Sequence, residues 1–293
     1  MRELKSRAEI KIPCCFDLQQ TLDCGQSFRW REVEKSSSHS VWAGIAKGRF
    51  LKIRQEHENL TFYCSQEEFD TVWQDYFDLQ TDYQKIHKKL SCEGTPLQEA
   101  VRYAPGIRVL RQDSWEALAS FLISQNNNIP RIKGIIERFA ELCGFQTENG
   151  YTFPDVHTVS KMTVDDLAPI RAGFRAKYII AAAKAIAEEQ VDLEEIRNQD
   201  IIFGRQELQK IYGVGPKVAE CTLLYGFYKT EAFPMDVWMK RAMQTLFPNQ
   251  CPERFGKYAG LAQQYIFHYS RMHPELFDEK VKKKSINKSV VAR

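Results

Sequence analysis

The spacing of hydrophobic residues changes along the chain, and the first hundred residues have the pattern of a sheet. Short segments rich in aromatic and β-branched residues alternate there with polar turns, which is typical of antiparallel strands. The predicted strands are Phe28 to Trp30, Val41 to Ile45, Arg49 to Ile53 and Asn59 to Cys64. The polar run from Glu34 to Ser40 is predicted to be a surface loop between the first two strands.

From Ser65 onward, apolar residues recur at every third or fourth position, which predicts helices. The segment from Ser65 to Leu90 is the first of them. Asp113 and Glu116 have the spacing of a capping box that opens another helix. After residue 98 nearly the whole chain is predicted to be helical. Further helices are predicted at Ile129 to Cys143, Val164 to Pro169, Arg175 to Glu189, Leu193 to Asn198, Arg205 to Tyr212, Lys217 to Gly226, Val237 to Leu246 and Phe255 to Tyr269.

The two patterns together predict an α+β protein with two domains. Residues 1–97 form an N-terminal antiparallel β-sheet domain with a few helices, and residues 98–276 form an all-α domain. Residues 277–293 are rich in lysine and are predicted to be a flexible basic tail. Two roles remain open for this tail, a solubilising one and weak non-specific contact with DNA.

Composition and charge set limits on the class of protein. A chain of 293 residues that is 43% hydrophobic and 27% charged predicts a globular protein. The net charge of +3 is small, so a surface for nucleic acid would have to be a local feature. No apolar run approaches the roughly 18 residues that span a bilayer, and no signal peptide is visible. We therefore expect an intracellular, soluble protein without membrane contact, and a monomer by default.

The cysteines argue against a metal cluster. The chain has eight cysteines, and none of them are paired as Cys-x-x-Cys. Structural zinc sites and iron–sulfur clusters usually need such spacing. The sequence therefore predicts free thiols, no zinc and no iron–sulfur cluster.

The segment from Leu208 to Asp236 contains the strongest candidate chemistry. Gly213 and Gly215 predict a tight hairpin whose backbone N–H groups can approach an anion, and Pro216 suits the first position of the following helix. Lys217 then lies at the positive end of the helix dipole, which disfavours the ammonium form and favours a nucleophilic amine. Asp236 follows that helix, and two roles remain open for it: the N-cap of the next helix and a catalytic carboxylate.

This segment resembles the helix-hairpin-helix of DNA glycosylases, in the lysine form of the enzymes that cleave by a Schiff base. Four further motifs occur in order, namely Gly25–Arg31, Arg111–Asp113, Ser124–Arg131 and Gly173–Tyr178. Together they make roughly residues 10–277 similar to the 8-oxoguanine DNA glycosylase/AP lyases of the Ogg type. Many relatives in the endonuclease III branch have a four-cysteine cluster after the helical core, and this chain lacks it.

The resemblance implies a DNA repair enzyme with two activities. Lys217 would attack C1′ of the damaged nucleotide, release 8-oxoguanine and form a Schiff base, after which β-elimination would cut the strand on the 3′ side. Asp236 would stabilise positive charge on the sugar and orient Lys217. The expected partner is duplex DNA containing 8-oxoguanine, the expected location is with the cell's DNA, and no cofactor is needed.

The resemblance also assigns residues to a pocket for the damaged base. The carbonyl of Gly25 would accept the N7–H that distinguishes 8-oxoguanine from guanine. Cys221 and Phe267 would sandwich the base, Gln263 would bond its Watson–Crick edge, and Pro234 would line the pocket. On the sequence pattern alone, a turn would explain Gly25, and burial in a helix would explain Cys221, Gln263 and Phe267.

Other residues match positions that contact the two strands. An enzyme that extrudes a nucleotide must fill the gap and hold the base left opposite. The resemblance implies that Asn126 fills the gap, that Arg131 and Arg175 bond the opposite cytosine, and that Phe174 is the unstacking wedge. Without the resemblance, the asparagines from 126 to 128 predict an ordinary turn, and Phe174 predicts a core residue.

The hairpin is expected to bind a DNA phosphate. The amides of Gly213, Gly215 and Val218 match the family's phosphate donors. The resemblance also allows for a monovalent cation that binds to the hairpin carbonyls. Trp238 departs from the pattern, because the better-known members have a phosphate-binding histidine there. An indole has one N–H donor and cannot become charged, so the phosphate contact at Trp238 is in question.

Two alternative functions stay open. A glycosylase for another base, such as alkylated adenine, would use Asp236 with water and would generally lack Lys217. A non-enzymatic helix-hairpin-helix module would need neither residue. Trapping with borohydride separates these readings, because only the Schiff-base enzyme becomes bound covalently to DNA.

Overall fold

A computed structural model describes residues 6–91 and 94–277 of the chain. Its N-terminal part is a five-stranded antiparallel sheet with the strand order β1-β5-β4-β3-β2. The strands are β1 (Ala8–Lys11), β2 (Trp30–Lys35), β3 (His39–Ala46), β4 (Arg49–Glu56) and β5 (Asn59–Phe62). A short hairpin of β6 (Gln146–Thr147) and β7 (Gly150–Tyr151) lies within the helical part. The predicted α+β fold class is confirmed.

Helices make up most of the remaining structure. The α-helices are α1 (Leu18–Leu22), α2 (Gln66–Glu68), α3 (Gln74–Tyr76), α4 (Tyr83–Leu90), α5 (Pro96–Tyr103), α6 (Ser114–Ser124), α7 (Ile129–Cys143), α8 (Val156–Ser160), α9 (Arg175–Ala187), α10 (Leu193–Asn198), α11 (Ile201–Lys210), α12 (Pro216–Gly226), α13 (Val237–Leu246) and α14 (Ala259–Met272). A π-helical turn covers Phe69–Trp73, and 3-10 segments cover Ala168–Ile170, Pro252–Tyr258 and Pro274–Phe277. Among the described residues, no helix is long and apolar enough to cross a membrane.

Capping side chains explain where several of these helices begin. Asp113 accepts a hydrogen bond from the amide of Glu116 at 2.9 Å, as the predicted cap of α6. Asn128 accepts from the amide of Arg131 at 3.0 Å and opens α7, with Pro130 in the first turn. These bonds satisfy amides that a helix N-terminus otherwise leaves unpaired.

The apolar side chains form two cores that are interleaved along the chain. The sheet core joins buried strand residues such as Ile53 and Phe62 to Trp73 and Phe77, and it also includes Leu110. The helical core extends from α4 to the 3-10 segment at the end of the described chain, and it includes Cys24 and Phe28. The domain boundary at residue 97 therefore stays a prediction. The predicted tail, 277–293, lies outside the described residues except for Phe277, which is buried in the helical core.

Several predicted element boundaries were wrong. The first predicted strand, Phe28 to Trp30, instead starts at Trp30 and runs on through charged residues to Lys35, so the predicted loop narrows to the three serines at 36–38. This edge strand exposes five of its six residues, so no apolar alternation marks it. The predicted helix at 164–169 is a turn followed by the 3-10 segment Ala168–Ile170. The segment from Ser65 to Leu90 is several short helices, because a π turn and a loop interrupt it.

Candidate active site

The hairpin between α11 and α12 places the N-terminus of α12 at the surface. Gly213 has a φ of +94°, and a Cβ at this position would lie 2.3 Å from the ring of Tyr178. Only glycine therefore fits this turn. Gly215 is the N-cap of α12 and Pro216 opens the helix, as predicted. No side chain caps this end, so the first-turn amides, including that of Val218, point outward as donors for an anion.

Lys217 lies in the first turn of α12 and is half-buried. Its Nζ donates a hydrogen bond to Oγ of Ser124 at 3.0 Å. The same Nζ lies 5.0 Å from the ring centroid of Phe121, a buried residue of α6. The predicted nucleophile is thus fixed by contacts with α6.

Cys221 and Asp236 lie close to Lys217. Burial raises the pKa of the Cys221 thiol to about 11, the Lys217 charge lowers it and the Asp236 charge raises it. Both charges therefore act on the same thiol, which stays neutral near pH 7. Asp236 is the N-cap of α13 and accepts from the amide of Met239 at 2.6 Å, so its carboxylate is fixed at the start of that helix.

Gly25 is held rigidly, because the residues on either side of it accept hydrogen bonds from glutamine side chains. The carbonyl of Cys24 accepts from Gln264 Nε2 at 3.1 Å, and the carbonyl of Gln26 accepts from Gln112 Nε2 at 2.7 Å. Gly25 itself has a φ of +91°, a conformation that side chains disfavour. A Cβ added there would lie 3.6 Å from Phe267. Gly25 and the predicted sandwich residue Phe267 are therefore neighbours.

Gln263 brings an unpaired acceptor to this region. It lies one turn before Phe267 on α14, so both side chains share a face of the helix. Gln263 is only 5% exposed, and its Oε1 is buried without a hydrogen-bond partner among the described residues. Buried polar atoms in native proteins are nearly always paired, so an orphaned acceptor indicates a ligand position. Gly25, Cys221, Pro234, Gln263 and Phe267 are called the lesion pocket below.

The residues predicted to contact the opposite strand form a second group, the strand-gap surface of Asn126, Arg131, Phe174 and Arg175. Asn126 has a φ of +47° and is exposed, and Arg131 is exposed in the first turn of α7. Phe174 is 49% exposed at the start of α9, which excludes a core role for this ring. These three side chains project from the protein.

Arg175 differs from the rest of the strand-gap surface because it is buried. Its Nε donates to the carbonyl of Gln125 at 2.8 Å, its Nη2 to that of Asn126 at 2.8 Å, and its Nη1 to that of Ala172 at 3.1 Å. The guanidinium also lies 4.4 Å from the ring centroid of Phe174. Four of the five N–H groups of Arg175 are therefore occupied, and one Nη1 hydrogen remains for the predicted contact with cytosine.

Trp238 is partly buried, and its ring faces another aromatic residue. Its ring packs against Phe277 with a centroid distance of 5.1 Å, and its Nε1 is buried without a partner among the described residues. The expected phosphate contact at Trp238 therefore stays a prediction, and it would require this N–H to become accessible.

Three residues near the site were missed at the level of sequence. Ser124 contacts Lys217, and Gln125 Nε2 donates to the carbonyl of Gly213 at 3.2 Å, which ties the asparagine loop to the hairpin. Arg271 Nη1 lies 3.4 Å from the position of a Cβ on Gly25. Ser124 and Gln125 were within a recognised motif, but their partners are about 90 residues away, and no local pattern indicates such pairs.

The described residues contain no cluster of three or more His, Cys, Asp or Glu side chains that could hold a metal ion. The site as described consists of an amine, a carboxylate, a thiol and unpaired hydrogen-bonding groups.

Family comparisons agree with this arrangement. Residues 9–118 match the model of the 8-oxoguanine DNA glycosylase N-terminal domain, and residues 119–253 match that of the HhH-GPD superfamily of base excision DNA repair proteins. The chain is 36% identical to the 8-oxoguanine glycosylase/lyase of Clostridium acetobutylicum, solved with duplex DNA containing cytosine opposite 8-oxoguanine. That match covers 92% of this chain and 97% of the other, with a TM-score of 0.85. The chain belongs to the 8-oxoguanine DNA glycosylase family.

Two further proteins are similar to this chain over most of their length. MBOgg1, solved with a low-affinity DNA ligand, is 36% identical with a TM-score of 0.86, over 92% of this chain and 96% of that one. A probable N-glycosylase/DNA lyase of Methanothermobacter thermautotrophicus is 29% identical over 87% of this chain and 94% of its own length. The predicted resemblance to the family is confirmed.

Proposed function

We propose that this protein is a bifunctional DNA glycosylase/AP lyase that excises 8-oxoguanine from duplex DNA, opposite cytosine, and nicks the strand 3′ to the abasic site. The observation on which this rests most is the placement of Lys217. Its amine lies at the N-terminus of the hairpin helix, and the Cys221 thiol near it responds to both the Lys217 and the Asp236 charge.

The proposed reaction uses Lys217 as the nucleophile. The lone pair of its neutral amine attacks C1′, and the bond from C1′ to the base breaks with its electron pair on the base. The Asp236 carboxylate stabilises the positive charge that develops on the sugar. The nitrogen then forms a Schiff base with the opened sugar, and β-elimination expels the 3′ phosphate. Every group in these steps comes from the protein or the DNA, so we propose no cofactor.

The lesion pocket suits 8-oxoguanine in particular. 8-Oxoguanine has a hydrogen on N7 where guanine has a lone pair, so a backbone carbonyl at Gly25 accepts from the lesion only. Gln263 offers an unpaired buried acceptor to the N–H groups of the Watson–Crick edge. Phe267 beside Gly25 and the neutral thiol of Cys221 give the base an apolar and polarisable surface on each face.

The strand-gap surface suits an orphaned cytosine. Arginine has five N–H donors and no acceptor, which matches the O2 and N3 acceptors of cytosine. The exposed Arg131 provides such donors, and Asn126 lies on the adjoining loop to fill the gap. The unpaired amides at the start of α12 are the proposed phosphate donors. The family's monovalent cation at the hairpin remains part of this proposal.

The two alternatives account for less of the site. A glycosylase that activates water needs Asp236 but has no use for an amine fixed at 3.0 Å from Ser124. A module that only grips DNA needs neither the orphaned Gln263 acceptor nor Gly25 against Phe267. The proposed substrate implies work on chromosomal DNA, in the nucleoid of a prokaryote or the nucleus of a eukaryote.

Borohydride trapping tests the proposal. The substrate is a duplex with one 8-oxoguanine opposite cytosine, and the comparisons are an undamaged duplex, Lys217→Gln, and the control Lys210→Gln at the exposed end of α11. We expect an adduct with the wild type and Lys210→Gln on the damaged duplex, and none with Lys217→Gln. Release of the base without an adduct would favour the water mechanism, and no release would exclude this substrate.

A further inference from the structure

Ser124 makes two hydrogen bonds that together constrain the Lys217 amine. Ser124 is the last residue of α6, and its Oγ donates to the carbonyl of Phe121 at 2.7 Å. The same Oγ accepts from Lys217 Nζ at 3.0 Å. A serine hydroxyl has a single hydrogen, and that hydrogen is used by the Phe121 carbonyl. Only the lone pairs of Ser124 therefore face Lys217.

The direction of this bond matters for a nucleophilic amine. A neutral lysine amine has two N–H groups and one lone pair. A hydroxyl free to rotate would donate to that lone pair and compete with its attack on carbon. Ser124 cannot do so while its hydrogen stays on the Phe121 carbonyl. It accepts one N–H of Lys217 instead and leaves the lone pair available.

The other surroundings of Lys217 compete only weakly for the lone pair: the Cys221 thiol interacts with the amine, but an S–H is a weak donor. The nearest described aromatic ring, that of Phe121, has its centroid 5.0 Å away, and a ring face accepts from N–H groups and donates nothing. Among the described residues, no ion pair within 4.0 Å involves Lys217. The side chain is thus positioned by the hydroxyl of Ser124, by its interaction with the Cys221 thiol and by packing.

We propose that Ser124 is a positioning residue for the nucleophile: it fixes Lys217 Nζ by accepting one N–H, and it directs the amine lone pair toward C1′ of the flipped nucleotide. This inference rests on the proposed function. In the step that Ser124 assists, the Nζ–C1′ bond forms and the C1′–N9 bond breaks. The electron pair leaves with the base, and the proton that the nitrogen sheds neutralises that base. Ser124 itself exchanges no proton.

Single-turnover kinetics of Ser124→Ala tests this role. A misplacement of about 1 Å costs on the order of 100-fold in rate, so we expect base release to slow by roughly 10- to 100-fold. The dissociation constant for the duplex should stay within about threefold of the wild type, because Ser124 contacts the amine and not the hairpin amides. Ser124→Thr, which keeps the hydroxyl, should restore most of the rate.

Ser160→Ala is the matched control. Ser160 is the last residue of α8 and donates to the carbonyl of His157 at 2.9 Å, which is the same local bond that Ser124 makes. It has no contact with Lys217, so Ser160→Ala should keep the wild-type rate. An equal loss of rate in Ser124→Ala and Ser160→Ala would reduce Ser124 to a helix-end residue and overturn the proposal.

The pH profile distinguishes positioning from proton transfer. If Ser124 only positions the amine, the rate of Ser124→Ala falls by the same factor at every pH and the profile keeps its shape. A rate that recovers to the wild-type value at high pH would contradict the proposal, because Ser124 would then act on the ionisation of Lys217. A full rate in Ser124→Ala would overturn this inference alone, whereas a wild type without base release would overturn it together with the proposed function.

Discussion

The lesion pocket and the strand-gap surface differ in how many of their polar groups already have partners. In the lesion pocket, Gln263 keeps a buried acceptor unpaired, and Gly25 is held in a left-handed conformation by bonds to its neighbours. In the strand-gap surface, all three nitrogens of Arg175 already bond to loop carbonyls. An unpaired buried acceptor costs about 1–3 kcal/mol, which a bound base would recover.

This difference suggests an order for the two recognition steps. The damaged base can enter a pocket whose groups are already in place. We expect Arg131, which is exposed, to contact the opposite base directly. Arg175 has one unused N–H group and can offer the others only after the loop carbonyls have released them. We therefore expect recognition of the lesion to be preorganised, and full recognition of its partner by Arg175 to depend on a rearrangement.

The largest effect is expected from Asp236→Asn. This variant tests whether base release beside the preorganised lesion pocket depends on the charge of the carboxylate. Asparagine is also a good N-cap, so α13 should form normally. Loss of the charge should slow base release by roughly 100-fold in single-turnover assays, the size usual for a preorganised electrostatic group.

Asp200→Asn is the control for this change, because Asp200 caps α11 and accepts from the amide of Phe203 at 2.9 Å. It should release the base at the wild-type rate. A rate for Asp236→Asn within a few-fold of the wild type would mean that the carboxylate is only a helix cap.

Gly25→Ala tests the rigid backbone of the lesion pocket. A side chain in the left-handed region costs about 1–2 kcal/mol, so the backbone should relax and carry the Gly25 carbonyl away from N7. Since 1.4 kcal/mol corresponds to a factor of about ten, we expect the rate on 8-oxoguanine to fall roughly tenfold. Gly48→Ala is the control, because its φ is +70° with open space around it. Equal effects of both variants on the rate would disprove the assignment of Gly25.

Arg131→Gln and Arg175→Gln test the contrast between the exposed and the buried arginine of the strand-gap surface. Arg131→Gln should reduce the preference for cytosine over adenine opposite the lesion by about tenfold, at the lower end of one bidentate base contact. Its melting temperature should not change. Arg175→Gln should reduce the same preference and should also lower the free energy of unfolding by on the order of 2 kcal/mol, since it breaks charged hydrogen bonds to the loop. Equal stability of the two variants would contradict the proposed locking of Arg175.

The smallest effect concerns Lys177, beside the hairpin. Its ammonium lies 5.4 Å from the ring centroids of both Tyr178 and Tyr212, and a hydrogen bond with Tyr212 raises its pKa. If this charge neutralises one phosphate, Lys177→Met should reduce the slope of log K against log salt by about 0.9. Lys184→Met, at the far end of α9, should leave the slope unchanged. Identical slopes for the two variants would exclude a phosphate contact at Lys177.

The sequence predicted the framework of this molecule well where local chemistry determines it. The cap at Asp113, the hairpin glycines and Pro216 at the start of α12 all act within a few residues, and each is found as expected. The edge strand β2 could not be predicted, because its charged residues face solvent and leave no apolar alternation. The strand β1 was not predicted for a related reason, since only Ala8 of its four residues is buried.

The residues of the candidate site could be selected by resemblance, but the hydrogen bonds and packing contacts between them could not be predicted. Motif matching selected Lys217, Cys221 and Asp236, and the structure brings these three residues near one another, while their roles stay predictions. The bond from Ser124 to Lys217 and the bonds from Arg175 to the loop depend on tertiary packing between α6, α9 and α12. The burial of the Trp238 donor against Phe277 likewise depends on residues 39 positions apart.

The most direct test of Lys217 as the nucleophile is to locate the covalent bond itself. The borohydride-trapped complex with the 8-oxoguanine duplex would be digested, and the modified peptide would be sequenced by mass spectrometry. We expect a single adduct, on Lys217. Lys47 is the natural competitor, because it is a lysine whose pKa is lowered by partial burial. An adduct on Lys47 or on another amine would contradict the assignment of the nucleophile and the reading of the hairpin helix.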